Sequence, residues 1–169
     1  MTNVPVKKRD ATASFNAIYQ HAGTDNIKYA RIDDARELKK ALKAHRIPFT
    51  TSAPYVHVNN GLAETYVRIA LQGGRVNMEQ CGAPPTFWPY AIIHYGFARN
   101  IQRVIEDALS PYEERFGENS FDGLRIPFFA YVHFMQLDPI RKGKEIAKVS
   151  SALVPGVFLG WAQNPGGQV

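Results

Sequence analysis

The spacing of apolar residues in the first third of the chain constrains its fold most strongly. Residues 27–32 alternate between apolar and polar side chains as a strand does, and residues 37–46 gather their apolar side chains on one face as an amphipathic helix does. Pro48 is expected to end this helix, and residues 49–52 form another short extended segment. A strand, a helix and a strand in this order predict an α/β fold.

Two longer helical segments are predicted in the middle of the chain. Apolar spacing predicts one helix over residues 62–71, which we expect to break at Gly73 and Gly74, and a second helix from Trp88 to about Ala108. The aromatic residues of the second segment are expected to fill the core. For Trp88, stacking on a nucleic-acid base is the alternative interpretation.

The spacing becomes strand-like again towards the end of the chain. Residues 126–134 and 157–161 are predicted strands in a region punctuated by glycine and proline. We therefore expect two units, an α/β part with its following helices over residues 1–108 and a small β-unit over residues 109–169.

Charge and cysteine content limit the partners. Lys and Arg number 20 against 15 Asp and Glu, and the formal net charge of +5 favours a polyanionic partner. Cys81 is the single cysteine, so neither a disulfide nor a thiolate zinc cluster is expected within one chain, which fits a reducing, intracellular compartment. Because no apolar run approaches the roughly 18 residues of a membrane span, no membrane partner is expected.

The stretch from Asn60 to Glu64 carries the strongest chemical signal. Its sequence NGLAE sets an acidic residue one turn into a predicted helix, behind an Asn-Gly corner, where a carboxylate can hold a catalytic metal. Asp33 and Asp34 add two acids at the end of the first predicted strand. The alternative interpretation is that Glu64 only stabilises the positive end of its helix.

Basic side chains accompany both acidic positions. Lys39, Lys43 and Arg46 share one face of the first predicted helix, and Arg68 lies one turn beyond Glu64. These residues are either solvated surface charges, with Glu64 and Arg68 as an ordinary ion pair, or contacts for DNA phosphates.

Seven short segments resemble, in the same order, parts of the integrase of copia-type retrotransposons. The segments are RIDD with EL at 31–38, TSAPY at 51–55, NGLAE at 60–64, PTFW at 85–88, ARN at 98–100, SPYE at 110–113 and GVFLGW at 156–161. Each is unspecific alone, whereas their shared order is specific, and the match covers most of the chain.

The resemblance implies a ribonuclease-H-like core with two catalytic Asp and one Glu, followed by helices and a small β-barrel. Asp33 resembles the second Asp and Glu64 the Glu, so both are implied catalytic residues and ligands of Mg²⁺ or Mn²⁺. The implied activity is trimming of the element's DNA ends and their joining to target DNA, which would take place in the nucleus. The candidate DNA-binding residues are Lys39, Lys43, Arg46, Asn60, Arg68 and Arg75.

The family's first Asp has no counterpart here. Only 32 residues precede Asp33, and Asp10 and Asp25 are poor substitutes. We therefore expect a partial core that lacks its first strands and does not integrate DNA as an isolated chain. The family's glycines and Asn after the second Asp are replaced by Asp34, Ala35 and Arg36, so the sequence leaves open whether Asp33 or Asp34 faces the metal.

Two further expectations follow from a partial core. A sheet without its first hairpin exposes an edge and part of its core, so self-association is expected. The alternative function is that of a non-catalytic nucleic-acid-binding module or structural remnant of a transposon polyprotein.

Overall fold

The chain has a mixed α/β architecture with small sheets. The computed structural model describes residues 4, 6, 8–51, 61–102, 108–135 and 153–169. Its elements in chain order are α1 (Ala11–Ala22), β1 (Ala30–Ile32), α2 (Arg36–Ala44), β2 (Phe49–Thr51), α3 (Gly61–Cys81), a 3₁₀ turn (Pro85–Phe87), α4 (Trp88–Asn100), α5 (Pro111–Phe116), β3 (Tyr131–Met135) and β4 (Leu153–Val157).

The predicted strand, helix and strand form one unit. Strands β1 and β2 pair in parallel with Ala30 opposite Phe49, and α2 connects them. Ala41 and Leu42 on the apolar face of α2 are each 1% exposed. Helix α1 packs against α2, and the ring of Phe15 stacks on His45 with centroids 3.2 Å apart. A two-stranded sheet is marginal alone, and the buried side chains of this unit belong to its helices, not to its strands.

Backbone hydrogen bonds close the end of helix α2 before Pro48 is reached. Arg46 adopts a left-handed conformation with φ of 55°, and the Ile47 amide donates to the Leu42 carbonyl at 3.0 Å. This six-residue bond closes a Schellman-type end, in which a left-handed residue satisfies the last free carbonyls. The backbone therefore turns at Arg46, one residue before the position that Pro48 itself restricts.

The predicted break at Gly73 and Gly74 is wrong, because α3 continues through both glycines to Cys81. The two glycines are buried where α3 meets α4, and an added Cβ would lie 2.3 Å from the Tyr95 ring at Gly73 and 2.5 Å from Ile92 at Gly74. Their missing side chains allow the helices to approach closely. Packing against α4 outweighs the low helix propensity of glycine.

Two predictions for the second helical segment also need correction. Helix α4 ends at Asn100, eight residues before the expected Ala108. Its first residue, Trp88, is 59% exposed, so the prediction that Trp88 fills the core is wrong. Trp88 follows a 3₁₀ turn at the very start of α4, whereas the buried residues of this helix, Ala91, Gly96 and Phe97, lie further along it.

A cluster of aromatic residues joins α4 to the end of the chain. Phe97, Ile101 and Tyr112 are buried, and Phe121 and Trp161 pack against them. Most aromatic pairs in this cluster meet edge to face, as between Phe97 and Tyr112, which is a favourable geometry for π systems.

Short α5 has a complete capping box at its start. Ser110 Oγ accepts a hydrogen bond from the Glu113 amide, and the Glu113 carboxylate accepts one from the Ser110 amide. Ser110 itself is 1% exposed, so the cap also satisfies polar groups removed from water.

The described part of the β-unit contains one small sheet. Strands β3 and β4 pair antiparallel with His133 opposite Pro155, and among the described residues they form a two-stranded sheet, not a closed barrel. The expected barrel is thus not seen among these residues, and residues 136–152 of the expected unit lie outside the described ranges. The second strand lies at Leu153–Val157 and not at the predicted residues 157–161, since the segment after Phe158 turns to place Trp161 in the aromatic cluster.

The two ends of the chain contact one another. Arg115 Nη2 pairs with Asp25 Oδ2 at 2.5 Å and donates to the Ala22 carbonyl at 3.2 Å, and the Gly166 amide donates to the Gln20 carbonyl at 2.9 Å. These bonds attach the end of α1 to α5 and the last turn. They cross the predicted boundary at residue 108, and the division into two units remains a prediction.

Candidate functional site

Asp33 lies in the short loop between β1 and α2. Its side chain is exposed, and its Oδ1 accepts a hydrogen bond from the Ala35 amide at 3.3 Å, which holds the loop in an Asx-type turn. The carboxylate of the neighbouring Asp34 is instead paired with Lys39 on α2. The two adjacent acids therefore have different surroundings.

Glu64 lies in the first turn of α3. Its side chain is exposed, and it is the one acidic residue in that turn. The free amides at a helix start favour a carboxylate there by about 0.3 to 1 kcal/mol. Both interpretations of this residue, a helix-stabilising charge and a ligand, are thus compatible with its position.

The fold brings Asp33 and Glu64 to one cavity of about 450 Å³. Asp33 is contributed by the loop before α2, and Glu64, Arg68 and Arg75 are contributed by α3. The remaining lining residues are Ala63, Val67, Leu71 and Gln72. Of the two adjacent acids, Asp33 lines this cavity together with Glu64 and Asp34 does not.

The α3 side of the cavity follows from helical spacing. Glu64, Arg68, Leu71 and Arg75 are separated by four, three and four residues, and such positions share one face of an α-helix. At 1.5 Å per residue, Arg68 and Arg75 are about 10 Å apart along the axis. The face is therefore acidic at the helix start and basic further along.

The arginines of this face are open to solvent. Arg68 and Arg75 are both exposed, and within the described ranges neither forms an ion pair with Glu64 or Asp33. The ordinary Glu64 to Arg68 pair, which the sequence left as an alternative, is not formed. Two guanidinium groups beside a cavity can each hold a phosphate oxygen with paired N–H donors.

The other predicted DNA-binding residues lie elsewhere or outside the described residues. Lys39 is paired with Asp34, and Lys43 and Arg46 are exposed at the far end of α2, away from the loop that contains Asp33. None of these three lines the cavity. Asn60 lies outside the residues that the structure describes.

The acidic residues do not fit a pair of metal ions. Two-ion sites hold their ions about 4 Å apart and share a bridging ligand between them, whereas no group of three or more His, Cys, Asp or Glu side chains that could hold a metal occurs among the described residues. Asp10 caps α1 through the Ala13 amide, and Asp25 pairs with Arg115, so both acids are engaged elsewhere.

A second cavity of about 280 Å³ adjoins the first between α3 and α4. Leu71 and Arg75 line both cavities, and the second is completed by Gly74, Met78, Glu79, Trp88 and Ile92. Sequence reasoning did not connect Met78, Glu79 or Trp88 with the site. Met78 and Glu79 lie three and four residues beyond Arg75, so helical spacing could have extended the face to them.

Comparison with protein-family models, with curated proteins and with solved structures finds no match. Within the described residues, no helix is both long enough and apolar enough to cross a membrane.

Proposed function

We propose that this chain is a partial integrase core, of the copia-type family that it resembles, which binds DNA at the Asp33–Glu64 cavity and does not join DNA ends by itself. The observation that carries the proposal is the shared cavity. Its lining contains Asp33 and Glu64, which the resemblance implies as catalytic residues, and two exposed arginines. The spacing of residues 33 and 64 along the chain does not by itself require both to line one cavity.

The local architecture is compatible with the later part of a ribonuclease-H-like core. Such a core needs a carboxylate at a strand end and another near a helix start, and here β1 leads to Asp33 while α3 begins just before Glu64. The parallel pairing of β1 and β2 around α2 is the type of connection found in α/β sheets. These features support the assignment of Asp33 and Glu64 to related roles.

Charge supports DNA as the ligand. The chain has a net charge of +5, and Arg68 and Arg75 stand beside the cavity without an acidic partner among the described residues. Two arginines on one face of a helix can each contact a backbone phosphate, and such contacts orient DNA without reading its sequence.

The number of carboxylates argues against joining of DNA. Activating the attacking oxygen and stabilising the leaving oxygen requires two ions, and the described residues do not fit a pair. Binding without strand transfer is therefore the function that the site supports best.

The binding proposal is tested by fluorescence anisotropy with labelled duplex DNA over a range of salt concentrations. The logarithm of the binding constant should fall linearly with the logarithm of salt concentration, and Arg75→Ala should reduce the slope by about 0.9. Arg99→Ala is the matched control, since Arg99 is an exposed cation in the last turn of α4 that does not line the cavity. Binding that is undetectable or independent of salt would refute the proposal and leave a structural remnant.

The absence of joining is tested separately with a strand-transfer assay. The isolated chain, labelled element-end DNA and either Mg²⁺ or Mn²⁺ should give no joined products. Joined products that disappear in a Glu64→Gln variant would show that the chain completes an active site, and this part of the proposal would then be wrong.

A further inference from the structure

Trp88 has a large apolar ring that is mostly exposed, and it lies at an apolar groove between α3 and α4. The residue is 59% exposed, and it lines the second cavity together with Met78 and Ile92. Burying a tryptophan ring is among the largest hydrophobic gains that one side chain offers. A planar apolar ligand placed on the ring would recover part of that gain, and the polarisable sulfur of Met78 also packs well against aromatic groups.

The groove is continuous with the Asp33–Glu64 cavity. Leu71 and Arg75 line both spaces, so Arg75 stands at their junction with its guanidinium available to either. A ligand that extends from one cavity into the other passes Arg75. A ligand with an anionic group at Arg75 and a planar group on Trp88 would match the order of these two side chains along the groove.

The charge beyond the junction limits how far an anionic chain can extend. Glu79, which also lines the groove, is exposed and acidic. A phosphate placed there would be repelled by the carboxylate, whereas a phosphate at Arg75 is attracted. The arrangement accommodates one base with its phosphate on the Arg75 side and does not favour a strand that continues past Glu79.

We propose that the groove between α3 and α4 binds the terminal unpaired nucleotide of a DNA strand, with its base stacked on Trp88 and its phosphate held by Arg75. The proposal rests on the proposed function, because the adjoining duplex lies over the Asp33–Glu64 cavity. Every base presents a π face, so stacking of this kind depends on an unpaired base and tolerates different sequences. The protein then binds a DNA end with a single-stranded overhang more tightly than a blunt end.

The test compares two labelled duplexes that differ only in a short single-stranded overhang, by anisotropy at constant salt. The wild-type chain should bind the overhang duplex about 5- to 150-fold more tightly, the range expected for stacking of one base. In Trp88→Ala the ratio of the two affinities should fall to about one, and in Trp88→Phe, which keeps an aromatic ring, most of the preference should remain. Far-UV circular dichroism checks that each variant is folded.

Tyr90→Ala is the matched control. Tyr90 is another exposed aromatic residue of α4, 49% exposed, and it does not line the groove. This variant should keep the overhang preference. Equal affinities for both duplexes in the wild type, or a preference that survives in Trp88→Ala, would overturn the inference while leaving the proposed function intact. If neither duplex binds, the proposed function itself is wrong and the inference falls with it.

Discussion

Gly73→Ala tests whether close packing of α3 on α4 overrides the local preference of the sequence. Gly73 is buried, and a Cβ built at this position would lie 2.3 Å from three ring atoms of Tyr95. No real Cβ approaches an aromatic carbon so closely, so the Tyr95 ring must move away. The substitution thus sets a local gain in helix propensity against a loss of interhelical packing.

The expected size follows from these two opposing effects. Replacing glycine by alanine inside a helix stabilises it by about 1 kcal/mol, whereas overpacking a well-packed contact costs about 1 to 3 kcal/mol. The free energy of unfolding should therefore fall by about 0 to 2 kcal/mol in Gly73→Ala. In a Tyr95→Ala background the ring is gone, and the same substitution should raise the free energy of unfolding by about 1 kcal/mol.

A double-mutant cycle measured by urea unfolding separates the two contributions. The coupling energy between positions 73 and 95 should be about 1 to 3 kcal/mol. Gly61→Ala is the control in the same helix, because nothing lies within 4 Å of a Cβ at Gly61, and it should not destabilise the protein. If Gly73→Ala has the same effect with and without the Tyr95 ring, α3 and α4 do not pack as described and the reasoning is refuted.

The remaining predictions concern pH, capping and association. Desolvation and the Arg115 guanidinium lower the pKa of His21. The folded protein therefore favours the neutral ring, and this contribution to stability is complete above about pH 6.5, the ordinary histidine pKa. It is lost as the pH falls through the lowered pKa of the folded state. His21→Gln should flatten this loss in thermal unfolding, and identical profiles would contradict it. Ser110→Ala removes the buried cap and should lower the free energy of unfolding by about 1 to 2 kcal/mol, with Ser110→Thr as the control; an unchanged urea midpoint would exclude this role. Leu62 on α3 is 73% exposed, and size-exclusion chromatography should show concentration-dependent association that weakens in Leu62→Gln, whereas a compact monomer at every concentration would argue against it.

Local patterns were sufficient for the first part of the fold. The alternation before Asp33 predicted β1, and the apolar face of residues 37–46 predicted α2, in which Leu42 is buried. These patterns work because the residues that specify an element lie within a few positions of one another. The ends were less accurate, since the turn at Arg46 depends on backbone hydrogen bonds that several residue types can make.

The candidate site was partly visible in the sequence. Glu64, Arg68 and Arg75 share a face of one helix, so their grouping is determined by spacing alone. Asp33 joins them only because the loop after β1 lies next to α3 in the folded chain, and Lys43 does not join them because it lies at the far end of α2. The resemblance to an integrase suggested the pairing of Asp33 with Glu64, and its catalytic meaning remains a prediction.

The sequence by itself determined the type of most helices and strands, the charge of the chain and the face of α3 that carries Glu64. Only the tertiary structure decided that α3 continues through Gly73 and Gly74, that Trp88 is exposed and that Asp33 and Glu64 line the same cavity. The reason is the range of the interactions. Helical spacing is set by residues within a turn or two of one another. By contrast, whether a glycine ends a helix, whether a tryptophan is buried and which residues lie near an aspartate depend on the distant segment that packs there.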